Sequence, residues 1–446
     1  MKKSLKIAGF ISALVLMSLC ISSCSDNDDN SDSEKKYGSL YTVTDFKKCY
    51  ADNTAKSEIT FLLDRELWGD SVTDSLENAH VRGSFTTWTD EDDFKLTLDS
   101  SGKFYSVTVP YSKVTTLGNS GHPEYKFNIT GTDDGYLNAF DKDFIPEPYC
   151  FHTSDNNLIL IFKDENIEDI KACSTTAGTW KTTLADWNLD TADDKTKEKF
   201  ANFRAVPGTK NVYRSWHPFK VKYHKDGSSK FLYETEPERV KMVTSLYEKY
   251  KIKTDICLSG DETKSLSTYT VKDGNEYTET VPDYYKTLMD AGDVCNVSYT
   301  PKGSSNPKTP EYKYIYQSSY NEEYLNGWLQ NIIDFVKDDA HKGPYNIHCR
   351  LGNDRTGYYC AVVAGLCGAT WNEIAADYQT SNNTYLGEYR DQRLLKQVFE
   401  KQFNKGNDIS TVSNLKECMY AYYTTNDKLT IQKEDLDALV AKFSAN

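Results

Sequence analysis

Tyr345-Asn346-Ile347-His348-Cys349-Arg350-Leu351-Gly352-Asn353-Asp354-Arg355-Thr356-Gly357 is the stretch from which the rest of the chain is read. It holds a cysteine and, six places on, an arginine; none of the other ten of the eleven cysteines has an arginine at that spacing. Phosphate-ester chemistry uses this pair. The cysteine supplies a thiolate nucleophile, and an arginine fork with backbone N–H groups holds the phosphate oxygens. Tyr345 to His348 reads as a short strand entering the loop, and an apolar helix follows to about Leu366 and stops at Gly368. Strand, anion loop, helix is an α/β arrangement.

Working outward, 446 residues exceed one core, so two domains are expected. Hydrophobic residues make up 38% and aromatic residues 13%, a globular composition. A formal charge of −14 argues against a general nucleic-acid binder. No metal or organic cofactor is called for by the loop chemistry.

Lys2, Lys3 and Lys6 precede an apolar run from Ile7 to about Leu19, and Ile21-Ser22-Ser23-Cys24 follows. This reads as a signal peptide over 1–23. The run is short for a transmembrane helix. The ending resembles the bacterial lipobox, which implies lipidation at Cys24 and anchoring in a membrane. Residues 24–55 read as a tether, beginning with the acidic Ser25-Asp26-Asn27-Asp28-Asp29-Asn30. That run resembles the export signal of Bacteroidetes surface lipoproteins and implies an outer-membrane, surface-exposed location. Nine cysteines remain beyond Cys20 and Cys24, an odd number that leaves at least one thiol unpaired, with Cys349 expected to be that one. Cys360 and Cys367 are expected to be small core residues.

Residues 56–165 read as short strands broken by turns: Ile59–Leu63, His80–Phe85, Phe94–Leu98, Phe104–Val109, Tyr125–Ile129 and Leu158–Phe162. The spacing suggests an all-β sandwich. Val81-Arg82-Gly83-Ser84-Phe85-Thr86-Thr87-Trp88 and Glu124-Tyr125-Lys126-Phe127 resemble the immunoglobulin-like starch- and glycogen-binding modules. The resemblance implies a glucan partner held by Trp88, Lys126 and Tyr136; the alternative is that Trp88 is structural and the module a spacer. Residues 166–195 read as a linker anchored by Trp180 and Trp187.

Residues 196–446 alternate helix and strand. A helix is expected over Pro237–Tyr250, a buried strand over Ile252–Ser259, and an amphipathic helix bearing Leu325, Trp328, Leu329, Ile332, Ile333 and Val336. Thr370 and Glu373 form a capping box that opens another helix. Asn202-Phe203-Arg204, Tyr213-Arg214-Ser215, Asp255-Ile256-Cys257-Leu258, the cysteine loop and Asp377-Tyr378-Gln379-Thr380-Ser381-Asn382 occur in that order. Together they resemble the bacterial tyrosine-phosphatase-like cysteine phosphatases. The resemblance implies an α/β cysteine-phosphatase domain with added helices, acting on phosphotyrosine, phosphoinositides or inositol phosphates. The sequence departs from the family at Asn353, where a lysine is usual, at Ala205 to Gly208, and at Leu258-Ser259, where the family's strand carries an arginine.

Within the loop, Cys349 is the expected nucleophile, its pKa lowered by the loop amides and the helix N-terminus. Arg355 is expected to fork two phosphate oxygens. Thr356 is expected to hydrogen-bond the thiolate, Gly352 to permit the loop's backbone turn, and His348 to orient the loop. Leu351 and Asn353 complete the substrate-binding stretch. Asp354 is the favoured general acid, at the position where related phosphatases place theirs; Asp261 and Glu262 are the alternatives. Arg350 resembles the basic residue of inositol-lipid phosphatases, and a structural ion pair is its other reading. Two further functions stay open: a phosphoglucan phosphatase joining both domains, and a non-catalytic carbohydrate-binding surface lipoprotein.

Overall fold

The computed structural model describes residues 58–68, 72, 76–137, 153, 157–160, 189–222, 224–225, 230–231, 235–270, 274, 276–317, 319–384 and 390–445. The signal peptide, Cys24, the tether, Trp180 and Trp187 lie outside them. All described residues fall in one compact unit that spans 37–446.

The N-terminal strands are β1 (Glu58–Asp64), β2 (His80–Gly83), β3 (Thr97–Leu98), β4 (Phe104–Pro110), β5 (Glu124–Asn128) and β6 (Leu158–Ile159). They form two antiparallel sheets, ordered β1-β4-β3 and β2-β5-β6. Residues of both join one cluster in which the rings of Phe61, Phe85, Phe94, Tyr125 and Phe127 are in contact.

The C-terminal strands are β7 (Arg204–Ala205), β8 (Val212–Ser215), β9 (His224–Lys225), β10 (Lys230–Phe231), β11 (Thr254–Cys257), β12 (Thr268–Thr270), β13 (Glu276–Thr278), β14 (Val294–Asn296) and β15 (Tyr345–His348). Five make one sheet in the order β14-β11-β15-β8-β7. Its first four strands are parallel and β7 is antiparallel to β8. The other four form two short ribbons, β9 with β10 and β12 with β13. β15 is central, and His348 lies level with Cys257 and Ser215 at the carboxyl ends of its neighbours. The cysteine loop therefore leaves the middle of the carboxyl edge, where open α/β sheets bind ligands.

Helices cover both faces. Asp194–Phe200, Thr235–Tyr250 and Asp283–Asp290 pack on one side around Trp216, Met242, Leu246 and Tyr285. Glu322–Val336, Asp354–Leu366, Trp371–Thr380, Gln392–Phe403, Leu415–Thr425 and Lys433–Ser444 pack on the other. All six residues of the expected amphipathic stripe of Glu322–Val336 are buried. The capping box forms: the Thr370 side chain accepts from the Glu373 N–H and the Glu373 carboxylate from the Thr370 N–H. The six described cysteines are free thiols, with Cys360 buried and Cys367 half-buried. Among the described residues, no helix is long and apolar enough to cross a membrane.

Candidate active site

β15 alternates its side chains between the two layers. Tyr345, Ile347 and Cys349 join the core beneath Asp354–Leu366. Asn346 and His348 point to the other face, into a buried polar row. Asp255 on β11 anchors that row. It accepts from the Tyr247 hydroxyl (2.6 Å) and the Tyr285 hydroxyl (2.9 Å), and pairs with His348 Nε2 (2.9 Å). Burial opposes a charge on His348, but Asp255 and Cys257 outweigh it, and the imidazole is held well above its ordinary range. His348 Nδ1 lies 2.9 Å from the Cys349 carbonyl, so the protonated ring grips the first peptide of the loop.

The remaining loop carbonyls are held from behind in the same way. The His217 N–H donates to the Arg350 carbonyl (3.1 Å). The Asn202 side-chain amide donates to the Leu351 and Gly352 carbonyls (3.3 and 3.0 Å). Arg214 donates to the Gly352 carbonyl at 2.8 Å. In a trans peptide the N–H points opposite to the C=O. Holding the carbonyls of 349–352 on the protein side thus turns the N–H groups of Arg350, Leu351, Gly352 and Asn353 to the other side. Successive amides so arranged make an anion nest at the start of the Asp354–Leu366 helix. Gly352 has φ +70°, and a Cβ there would fall 2.2 Å from the Ser215 carbonyl oxygen. No side chain fits that approach.

Behind the nest, the separate sequence motifs meet. Arg204 donates to Asp377 Oδ1 (2.5 Å), the Asp377 carbonyl (2.8 Å) and Ser381 (3.0 Å), and also to the Asn202 side chain. Arg214 donates to the other Asp377 oxygen. Two guanidinium groups thus share one buried carboxylate. Burial pushes Arg204 down, Arg214 adds to this, and the net value is about 10. Burial would raise Asp377, but Arg214 and Arg204 together hold it below the usual carboxylate range.

Cys349 is 3% exposed. Burial alone would raise its thiol; Arg355 and the hydroxyl and N–H of Thr356 overcome this and bring it below the ordinary thiol range. The Thr356 hydroxyl is buried with no other hydrogen-bond partner. Arg355 is half-buried, and its Nη1 donates to the carbonyls of Leu258 and Pro310 at 3.3 and 3.4 Å. The Asn353 side chain is buried with both polar atoms unpartnered. Leu351 is half-buried against the core on the Trp216 side of the sheet. Arg350 is half-buried and reaches the Tyr269 hydroxyl of β12 at 3.4 Å. That contact is a hydrogen bond to a neutral partner.

Asp354 opens the helix with a partner to which no motif points. Arg390 forks onto it, Nε to Oδ1 at 2.5 Å and Nη2 to Oδ2 at 3.1 Å. The two alternative carboxylates have local tasks. Asp261 caps the turn Glu262–Ser265, and Lys264 first, then Thr263, hold it below the usual range. Glu262 accepts from Ser265 Oγ at 2.8 Å.

His217, Cys257 and His348 bring potential metal-ligating atoms within 4.8 Å of one another. Both His348 nitrogens are engaged, and Cys257 Sγ donates to the Gly260 carbonyl (3.2 Å). His217 Nδ1 accepts from the Phe219 N–H (3.3 Å), so of the three residues' ligating atoms only the His217 Nε2 has no partner among the described residues. His217 is kept well below its ordinary range, by burial first and then by the neighbouring charge of His348.

In the N-terminal region, Lys126 lies over the Tyr136 ring at 5.4 Å. Arg82 donates to the Tyr136 hydroxyl at 3.2 Å and to both Asp90 oxygens at 2.6 and 2.9 Å. Trp88 sits at φ +62° in the turn after β2, half-buried. Lys126 and Tyr136 are thus brought together, with Arg82 between them and the acidic Asp90.

Residues 236–445 match the sequence model described as the tyrosine phosphatase family. The C-terminal region is a protein-tyrosine-phosphatase-like phosphatase. Asn202, Arg204 and Arg214 precede the matched stretch, yet they hold its loop. No curated protein matches the chain. Among solved structures, the core catalytic domain of the PP-IP phosphatase SIW14 from S. cerevisiae, in complex with citrate, is similar at 14% identity, covering 51% of this chain and 88% of that one, with a TM-score of 0.22.

Proposed function

We propose that this phosphatase is a cysteine-dependent phosphomonoesterase that works through a phosphocysteine intermediate. The observation that carries this reading is the loop whose carbonyls are held from behind over 349–352, with a lowered thiol at its base. Cys349 Sγ attacks phosphorus and the bond to the leaving oxygen breaks. Asp354 gives that oxygen its proton. Water then attacks phosphorus, Asp354 takes a proton from it, the P–S bond breaks and thiolate is restored. Arg355 leaves its two long carbonyl contacts and forks two equatorial oxygens, as a guanidinium does in preference to a carbonyl. The buried Asn353 amide has no hydrogen-bond partner among the described residues, and an unpaired buried amide costs about 1–3 kcal/mol.

The substrate class we propose is phosphotyrosine, phosphoinositide or inositol phosphate. Arg350 at the edge of the loop, bonded only weakly to Tyr269, favours a substrate with more than one phosphate. The phosphoglucan reading has less support, because the Tyr136 hydroxyl and ring already meet Arg82 and Lys126. The N-terminal region is read as an immunoglobulin-like module on the strength of its two antiparallel sheets around one aromatic cluster. Cys24 is read as a lipid anchor to an outer membrane.

Wild type and Cys349→Ser are to be assayed on p-nitrophenyl phosphate, phosphotyrosine peptides, inositol phosphates and phosphoglucan. Turnover lost in Cys349→Ser is expected, with kcat/KM rising through an acid limb below the ordinary thiol range. Equal rates in both proteins would end the reading. A preference for mono- over polyphosphorylated substrates would remove the role given to Arg350.

A further inference from the structure

The N-terminal region meets the catalytic region at the segment that carries Arg390. The Asn119 carbonyl accepts the Asp391 N–H (3.1 Å), and its side chain accepts the Tyr312 hydroxyl (2.6 Å). Arg393 Nη2 lies 2.6 Å from His122 Nε2, and Gln397 donates to the Thr115 carbonyl at 3.3 Å. Gly121 has φ +76°, and a Cβ on it would fall 2.3 Å from Asp391 Cβ. The two regions are packed to the limit along this line.

Arg390 itself is fixed on every side. Asn382 takes its N–H (2.8 Å) and donates to its carbonyl (2.8 Å). Its guanidinium lies 5.8 Å from the centre of the Tyr312 ring and forks onto Asp354. Glu124 of β5 is fully buried and feels the Arg390 charge; it also accepts from the Ser120 N–H (2.6 Å) and Asn157 (2.8 Å). So the group that holds Asp354 rests on Tyr312, and Tyr312 rests on Asn119.

We propose that Arg390 is a positioning residue for the proton donor Asp354, and that the N-terminal region, through residues 115–124, holds it in place. This rests on the reading of Asp354 as the acid. A bidentate fork fixes the rotation of a carboxylate, so that the same oxygen faces the leaving group in every turnover. The N-terminal region is then part of the catalytic apparatus.

The test uses the full chain and compares kcat on an alkyl phosphate, a poor leaving group, with kcat on p-nitrophenyl phosphate across pH. Asp354→Asn should slow the alkyl ester at least about 100-fold more than the aryl ester. If it slows both equally, the acid reading itself fails. Arg390→Gln should slow the alkyl ester several-fold more than the aryl ester, since without the fork the carboxyl no longer presents one fixed oxygen to the leaving group. Arg390→Lys should show the same selective loss on the alkyl ester, because it keeps the charge and loses the fork. Asn119→Ala should lower the alkyl-to-aryl rate ratio several-fold. An Arg390→Gln protein that loses rate equally at all pH on both esters, with Asp354→Asn behaving as expected, overturns the positioning role. An unchanged ratio in Asn119→Ala overturns the part given to the N-terminal region.

Discussion

Two arginine–aspartate contacts grip the catalytic loop, one from behind and one at its front. Behind, Arg204 and Arg214 share Asp377, and their side chains are 18% and 0% exposed. In front, Arg390 forks onto Asp354, whose side chain is 18% exposed. The chemistry is the same and the setting differs. The rear pair is a triad with an excess cation, tied through Arg214 to the Gly352 carbonyl, so it can only be kept or broken. The front pair is one to one, so a group that competes for either partner releases the other. A charge pair in the first setting acts as scaffold, and one in the second can take part in a cycle.

The contrast is broken most severely at the rear. Arg214→Ala leaves Asp377 with one partner and the Gly352 carbonyl short of a donor, and should destabilise the fold by about 3–5 kcal/mol, read from denaturant midpoints. Arg390→Gln should cost clearly less; equal losses would erase the distinction between scaffold and working pair. The second test is pH. Asp377 has a folded-state pKa below its ordinary value, so its stabilising contribution is present above about pH 4 and is lost as pH falls through the folded value. Tm should therefore fall more steeply below pH 4 in wild type than in Asp377→Asn, which has no such proton to take up. Parallel curves would count against it. The smallest effect is expected at Ser381, which accepts from Arg204 and donates to Asn202 (3.2 Å). Ser381→Ala should cost about 1 kcal/mol and leave the pH profile of kcat unchanged.

The rear of the site was legible in the sequence, in a particular way. Asn202, Arg204, Arg214, Asp377 and Ser381 stood in short motifs, and the structure gives the reason: each touches the loop or a residue that does. The helices were legible where their signal is local, as with the stripe from Leu325 to Val336 and the box of Thr370 and Glu373. Strand order was not legible, because pairing of β15 between β11 and β8 joins residues far apart in the chain. Arg390 was hidden for the same reason. It belongs to no motif or periodic pattern, and its meaning arises only when the segment packs against Asp354 and Tyr312. His217 had a faint signal, two places after Ser215, but its use is through its backbone N–H, which any residue supplies.

The loop carbonyls held from behind have a consequence for how the protein meets other anions. The donors that fix them are paid out at folding, so the amides opposite are already oriented when any small oxyanion arrives. These amides need no reorganisation of their own; the adjustment left for a ligand to drive is at Arg355, which changes partners. Phosphate released at the end of one turnover is therefore also an inhibitor of the next. Ligand linkage makes that visible without catalysis: vanadate, sulfate or phosphate in excess should protect the fold against heat, each tenfold rise above saturation adding about 1.4 kcal/mol. Phosphate in excess should likewise raise KM and leave kcat unchanged, as expected of a ligand that competes with substrate for the nest.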